Sequence, residues 1–187
     1  MKKVLFVVLA VLVTGGLFSQ TTYKVDPYHS SINFKVKHMG ISFVNGKFEK
    51  FDGTIHGSDF TTAKVDFTVD VNSINTSVPP RDKHLRSADF FEVEKFPQMK
   101  FSSTSFQKSG ENYKLSGNLT IKDVTRAVNF DVKMGGAAKG EDGAAIHGFS
   151  AKTTINRFDY NVAYDPELSS IGKDVPIYLY LEFKEQK

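Results

Sequence analysis

The densest group of residues able to do chemistry lies in SVPPRDKHLRSADFFEVEKFP, residues 77–97. Arg81 offers a forked cation, Asp82 a carboxylate and His84 an imidazole that changes charge near neutrality. On a helix Arg81, His84, Leu85 and Ala88 share one face, so a cation and an imidazole would stand together beside apolar surface. Such a face can donate hydrogen bonds to the polar head of an otherwise apolar ligand. The same side chains can equally pin a crossover loop onto a barrel rim by buried hydrogen bonds and do nothing else. Nucleophilic catalysis has weaker support: Ser30 beside His29, and Ser87 near His84 and Asp89, supply the residue types without a nucleophile elbow or triad signature. The histidines at 29, 38, 56, 84 and 147 are scattered over more than 100 residues with no HxH or HExxH spacing, so no metal site is expected. The absence of cysteine excludes thiolate metal sites, thiol nucleophiles, disulfides and a lipid-modified N-terminal cysteine. The expectation is a binding protein, with no catalytic residues and no cofactor.

The elements that must position these groups are strands. Period-two alternation, the pattern of a strand with one wet and one dry face, runs through Ser31–His38, Lys64–Val71, Tyr113–Ile121, Val128–Met134 and Val175–Phe183. Weaker runs cover Tyr23–Asp26, Gly46–Ile55, Met99–Phe106 and Ala145–Ile155, and the phase slips between Phe48 and Phe51 as at a β-bulge. The Gly/Ala-rich stretch Gly135–Ala145 reads as a hairpin loop. Between Ser77 and Pro97 the alternation stops. Pro79 and Pro80 suit a helix start, Asp82 and Arg86 stand as an i,i+4 ion pair, and Asp89 with Glu92 resembles a capping box, so two short helical turns are expected over residues 79–95.

The 187 residues carry 17 Phe and 7 Tyr but no Trp, an aromatic content that favours strands with large buried area. Eight or nine strands in one chain suit either a closed antiparallel barrel or a two-sheet sandwich, and periodicity alone does not choose. A barrel of about eight strands can be filled by its own side chains or hold one small ligand. Residues 1–19 start with Lys2 and Lys3 and continue in ten apolar residues, Val4–Val13, spanning about 15 Å in helix against roughly 30 Å of bilayer core. This reads as a cleaved secretory signal with Ser19 before the cut, leaving residues 20–187 as one domain, periplasmic or secreted, without stable membrane insertion. The remaining chain has 22 basic against 21 acidic residues, a balance that demotes nucleic acid and anionic membrane surfaces as partners.

Three stretches carry a resemblance to a known family: VDPYHSSINFKVKHMGISFVNGKFEKFDGTI (residues 25–55), RDKHLRSADFFEVEKFPQMKFSST (81–104) and GNLTIKDVTRAVNFDV (117–132). In them the chain resembles the YceI family of secreted bacterial lipocalin-like proteins that bind polyisoprenoids. Tyr23 departs from the Trp frequent at that position, and Phe158-Asp159-Tyr160-Asn161 from the Asp-Trp-Gly or Asp-Phe-Gly type of many relatives. The resemblance implies an all-β, extended antiparallel eight-stranded barrel whose lumen holds a long isoprenoid: a polyprenyl chain, a prenyl diphosphate or an isoprenoid quinone. The dry-face residues that would line it are Phe34, Val36, Phe48, Phe67, Val69 and Phe101, with Leu119, Phe130, Phe149, Ile177 and Leu179. Arg81, Asp82 and His84, with His29 and His38 behind them, are the head-group candidates. The rival readings are a barrel with a filled core and a non-lipid binding module, for which the wet-face pair Tyr178 and Tyr180 offers an aromatic platform. Oligomeric state stays open, a homodimer included.

Overall fold

The computed structural model describes residues 21–187, so the expected signal and its cleavage point lie outside the described residues. Eleven strands and one helix follow in the order β1 (Thr22–Val25), β2 (Ser31–His38), β3 (Ser42–Phe48), β4 (Phe51–His56), β5 (Lys64–Asp70), β6 (Ile74–Asn75), α1 (Pro79–Arg86), β7 (Gln98–Ser109), β8 (Asn112–Ile121), β9 (Val124–Lys139), β10 (Ala145–Asn156) and β11 (Asp174–Gln186).

Pairing turns these eleven pieces into eight staves. One edge of β11 is shared end to end by β1 and β2, which are halves of a strand broken at residues 26–30. β4 and β3 continue the next stave across a break at Glu49 and Lys50, and β5 and β6 the third across the 3-10 turn Val71–Ser73. With β7, β8, β9, β10 and β11 in simple antiparallel succession, and β1 bonded to both β4 and β11, the ring closes. Closure through β1, β4 and β5 removes the sheet edges along that half of the ring and selects the barrel over the sandwich. The dry face turns inward: along β9 Val128, Phe130 and Val132 are buried while Asn129, Asp131 and Lys133 between them are exposed, and the pattern ends at the exposed Met134.

The phase slip between Phe48 and Phe51, read as a bulge, is instead the break between β3 and β4, where Ser73 Oγ accepts from the Glu49 and Lys50 amides at 3.1 and 3.0 Å. Three further local readings are corrected. The Gly/Ala stretch is mostly strand: β9 runs on to Lys139 and pairs with β10 through Gly136, Ala137 and Ala138, because a ladder needs only backbone. A register shift beside Phe149 takes up the extra residue. In the 79–95 segment only the first helical turn pair forms, as α1, with Pro in its first positions. Beyond Ser87 the chain continues in turns, since Asp89 bonds His84 Nε2 at 2.8 Å and Glu92 sits at φ 50°. The expected Asp82–Arg86 pair is replaced by tertiary bonds: Arg86 donates to the carbonyls of Asn72 and Ile74, both at 2.8 Å.

The two ends of the barrel differ. At one, Phe60 from the β4–β5 loop packs among Tyr23, His147 and Phe149 with ring centroids 5.6, 4.9 and 5.3 Å away, forming an aromatic plug. At the other lie the turn 39–41, α1 with its following turns, and residues 157–173, which join β10 to β11.

Candidate functional site

A cavity of about 460 Å³ occupies the barrel interior and extends to the end carrying α1. All eleven residues singled out as lining stand on its wall: Phe34, Val36, Phe48, Phe67, Val69, Phe101, Leu119, Phe130, Phe149, Ile177 and Leu179. The space survives among so many aromatics because rings lie against the wall rather than across the lumen. Phe34 covers Gly46 and Phe67 covers Gly53, each directly opposite on the neighbouring strand, where a Cβ would collide with the ring. Removing that room is expected to drive a ring inward. Gly53→Ala should therefore cost about 1–3 kcal/mol in denaturant unfolding and shrink the cavity, whereas Thr54→Ala beside it should cost well under 1 kcal/mol.

The head-group candidates divide. Arg81, His84 and His38 reach the cavity, together with Leu85 of α1. Arg81 is also a pin: its Nε donates to Thr76 Oγ1 at 2.7 Å and Nη2 to the Thr76 carbonyl at 2.8 Å. Asp82 is buried but does not line the cavity, because its carboxylate accepts from the Thr76 amide at 2.8 Å and the Thr76 hydroxyl at 2.5 Å. His84 bonds Asp89 and packs edge-on against Phe90 and Tyr164, with centroids 5.0 and 5.1 Å away.

His29 is displaced from the site altogether. It lies in the break between β1 and β2, at the other end of β2 from His38, and roughly 25 Å of extended strand separates the two positions. There it joins Asp26 and Glu182 on the outer wall, their ligating atoms within 4.8 Å of one another. The hydrogen bond to Asp26 at 2.8 Å raises the imidazole pKa above its ordinary value and lowers that of Asp26. The charged pair is thus fully formed below the usual histidine pKa and fades as pH rises through the raised one. An NMR titration should place His29 above free histidine, and Asp26→Asn should bring it back; an unmoved midpoint would remove the pairing.

Several cavity residues carried no sequence signal. Arg157, only 6% exposed, donates to five backbone carbonyls, those of Gly172, Val162, Tyr164, Asp165 and Ile171, at 2.5–3.1 Å. Burial lowers its pKa against the opposing field of Asp165. Asp165 in turn accepts from the Ser169 hydroxyl and the Ser169, Ser170 and Ile171 amides, which hold its pKa down at about 2. One guanidinium and one carboxylate therefore tie residues 157–173 into the rim. Tyr160, Tyr164 and Ser170 of this segment line the cavity, and the buried Tyr160 hydroxyl, without a hydrogen-bond partner, has its pKa pushed up to about 12 by desolvation.

Neither serine–histidine combination forms a catalytic pair. Ser30 Oγ accepts from the Glu182 amide while His29 Nδ1 faces Asp26, and Ser87 Oγ donates to the His84 carbonyl rather than to its ring.

Comparison with known proteins agrees with this architecture. The YceI-like domain matches residues 23–183. Protein YceI of Salmonella arizonae is 37% identical over 193 aligned positions that cover all of both chains. The crystal structure of the Campylobacter jejuni YCEI protein superposes with a TM-score of 0.70 at 34% identity, covering 81% of this chain and 90% of that one. A polyisoprenoid binding domain from Saccharophagus degradans shares the fold, with a TM-score of 0.69 at 16% identity over 88% of this chain and 98% of its own. The barrel, the signature stretches and the full-length similarity make this chain a member of the YceI-like family.

Proposed function

We propose that the protein binds an isoprenoid lipid in the barrel cavity and serves, once exported, as a carrier, store or sensor of it. The observation that carries this reading is the cavity itself: about 460 Å³ of interior walled almost entirely by aliphatic and aromatic side chains. That volume falls within the range of about 300–1,000 Å³ common to small-molecule sites. A branched hydrocarbon gains roughly 0.8 kcal/mol for each carbon taken out of water, or about 4 kcal/mol per five-carbon unit. A few buried units suffice, because ordering of the chain subtracts from the gross gain. The polyisoprenoid binding domain of Saccharophagus degradans, built on the same fold, supports the choice of ligand class.

Chain burial sets affinity, and the groups at the open end set the preference for head group. Arg81, His84 and His38 offer donors there, while Arg157 brings a positive charge whose partners are carbonyl oxygens rather than a carboxylate. Asp82 and Thr76 act by holding Arg81 and α1 in place.

The test is native mass spectrometry of the protein purified after export, followed by identification of any lipid released on denaturation. The expected result is a stoichiometric isoprenoid adduct on a chain whose mass places the cut near Ser19. Protein that stays ligand-free after incubation with a polyprenol, a prenyl diphosphate and an isoprenoid quinone would refute the reading.

A further inference from the structure

We propose that the tip of the β2–β3 hairpin docks the protein on an anionic phospholipid bilayer and brings the cavity mouth against the lipid phase, an inference that rests on the lipid-binding reading above. Among the described residues five of the nine large hydrophobic side chains left in solvent stand on this hairpin and the segment joining β10 to β11, while Tyr28, Met134 and Tyr180 lie elsewhere on the barrel. Met39, Ile41 and Phe43 of the hairpin are 59, 85 and 51% exposed, and Tyr164 and Leu168 of the adjoining segment 43 and 42%. The two segments are fastened together, since the Met39 amide donates to the Ser170 carbonyl and the Gly172 amide to the Lys37 carbonyl, both at 2.8 Å. They present one surface.

Charge selects the partner. From Ser31 to Lys47 the hairpin carries Lys35, Lys37 and Lys47 and no carboxylate. Lys47 pairs with Glu49 at 2.9 Å, while Lys35 and Lys37 make no ion pair among the described residues. The Lys35 ammonium lies 4.9 Å from the Phe43 ring centre and 5.5 Å from that of Tyr178, a cation held among aromatics beside an apolar tip. Apolar side chains that enter the interface, flanked by lysines that meet lipid phosphates, are the chemistry of peripheral attachment. The segment 157–173 carries Asp159, Asp165 and Glu167 against Arg157 and Lys173, with Asp174 opening β11, so the basic face belongs to the hairpin alone. The near-neutral total charge conceals this arrangement because it averages over the whole barrel. A second copy of the chain fits less well, as a two-fold contact would set these lysines against each other.

The patch is continuous with the site. His38 and Val44 of the same hairpin, and Tyr164 across from it, line the cavity, so a lipid leaving the mouth here would enter a bilayer without crossing water.

Flotation on vesicles tests the proposal, comparing phosphatidylethanolamine–phosphatidylglycerol with phosphatidylcholine alone. The protein should float with the anionic vesicles, less so as salt rises from about 0.05 to about 0.5 M. The double variant Met39→Ser, Ile41→Ser, whose side chains do not line the cavity, should lose vesicle affinity by about tenfold or more and keep any lumen lipid in native mass spectrometry. Loss of flotation in the variant upholds docking even if no lumen lipid is found, a result that would sink the binding reading instead. Wild-type protein that stays with the soluble fraction on both vesicles, or a variant that floats as well as wild type, overturns the proposal. So does a solution dimer that the double substitution dissociates.

Discussion

Replacement of Ala151 by Trp should abolish lipid binding while leaving the barrel folded. Ala151 sits on β10 between Leu179 on one neighbouring strand and Val132 on the other, and all three face the cavity. It is the small side chain in a wall of large ones, so an indole placed there projects into open volume. Displacing about two isoprene units forfeits roughly 8 kcal/mol of gross transfer energy, and even a third of that is a loss of about 100-fold in affinity. Because the indole enters a cavity rather than a packed core, the stability change should stay within about 1–2 kcal/mol, at the mild end of overpacking. The wild-type chain has no Trp, so the new side chain reports on itself: its emission should be blue-shifted in the folded protein and move red on unfolding. Unchanged lipid uptake by a variant with buried, blue-shifted emission would mean that ligand binds elsewhere.

Arg157→Ala should bring the largest loss of stability. The substitution deprives five carbonyls of their donor at once. At about 1 kcal/mol each, less what water restores at the outer ones, the expected cost is about 3–4 kcal/mol. For a chain of this size that lowers Tm by roughly 10 °C. Arg157→Lys should recover only part of it, because an ammonium has three donors where the fork has five. Hydrogen exchange should rise first over residues 157–173, with the central ladder of β7 to β9 still protected. If exchange instead rises evenly around the barrel, Arg157 supports the whole core and not the rim.

The strands were legible because alternation is a local property: Ile32, Phe34 and Val36 announce their shared face whatever else the chain does. Closure was not, since a barrel and a sandwich ask the same of each strand, and only the family resemblance separated them before the pairing of β1 with both β4 and β11 was seen. The cavity wall follows from the same alternation, which is why all eleven lining residues stand where strand phase placed them. The rim is different. His29 and His38 look equivalent in sequence, yet a strand's length puts them at opposite ends of β2. Arg157 gathers carbonyls from residues 162 to 172, a cage that no spacing of side-chain types encodes. Asp89 reads as a helix cap by position and becomes the partner of His84 because tertiary contact outranks local preference.

The breaks in the first three staves have a kinetic meaning. β6 bonds β3 only at Lys47 and Phe48, so the β3 backbone from Ser42 to Gly46 has no second strand beside it, and the wall there is completed by Thr76, Arg81, His84 and Leu85. A seam closed by side chains can part without unzipping any ladder. A long, branched hydrocarbon can then be laid in broadside instead of being threaded end first. Uptake of the proposed isoprenoid through such a side door would proceed at a rate nearly independent of tail length, whereas threading through the end would slow with every added unit.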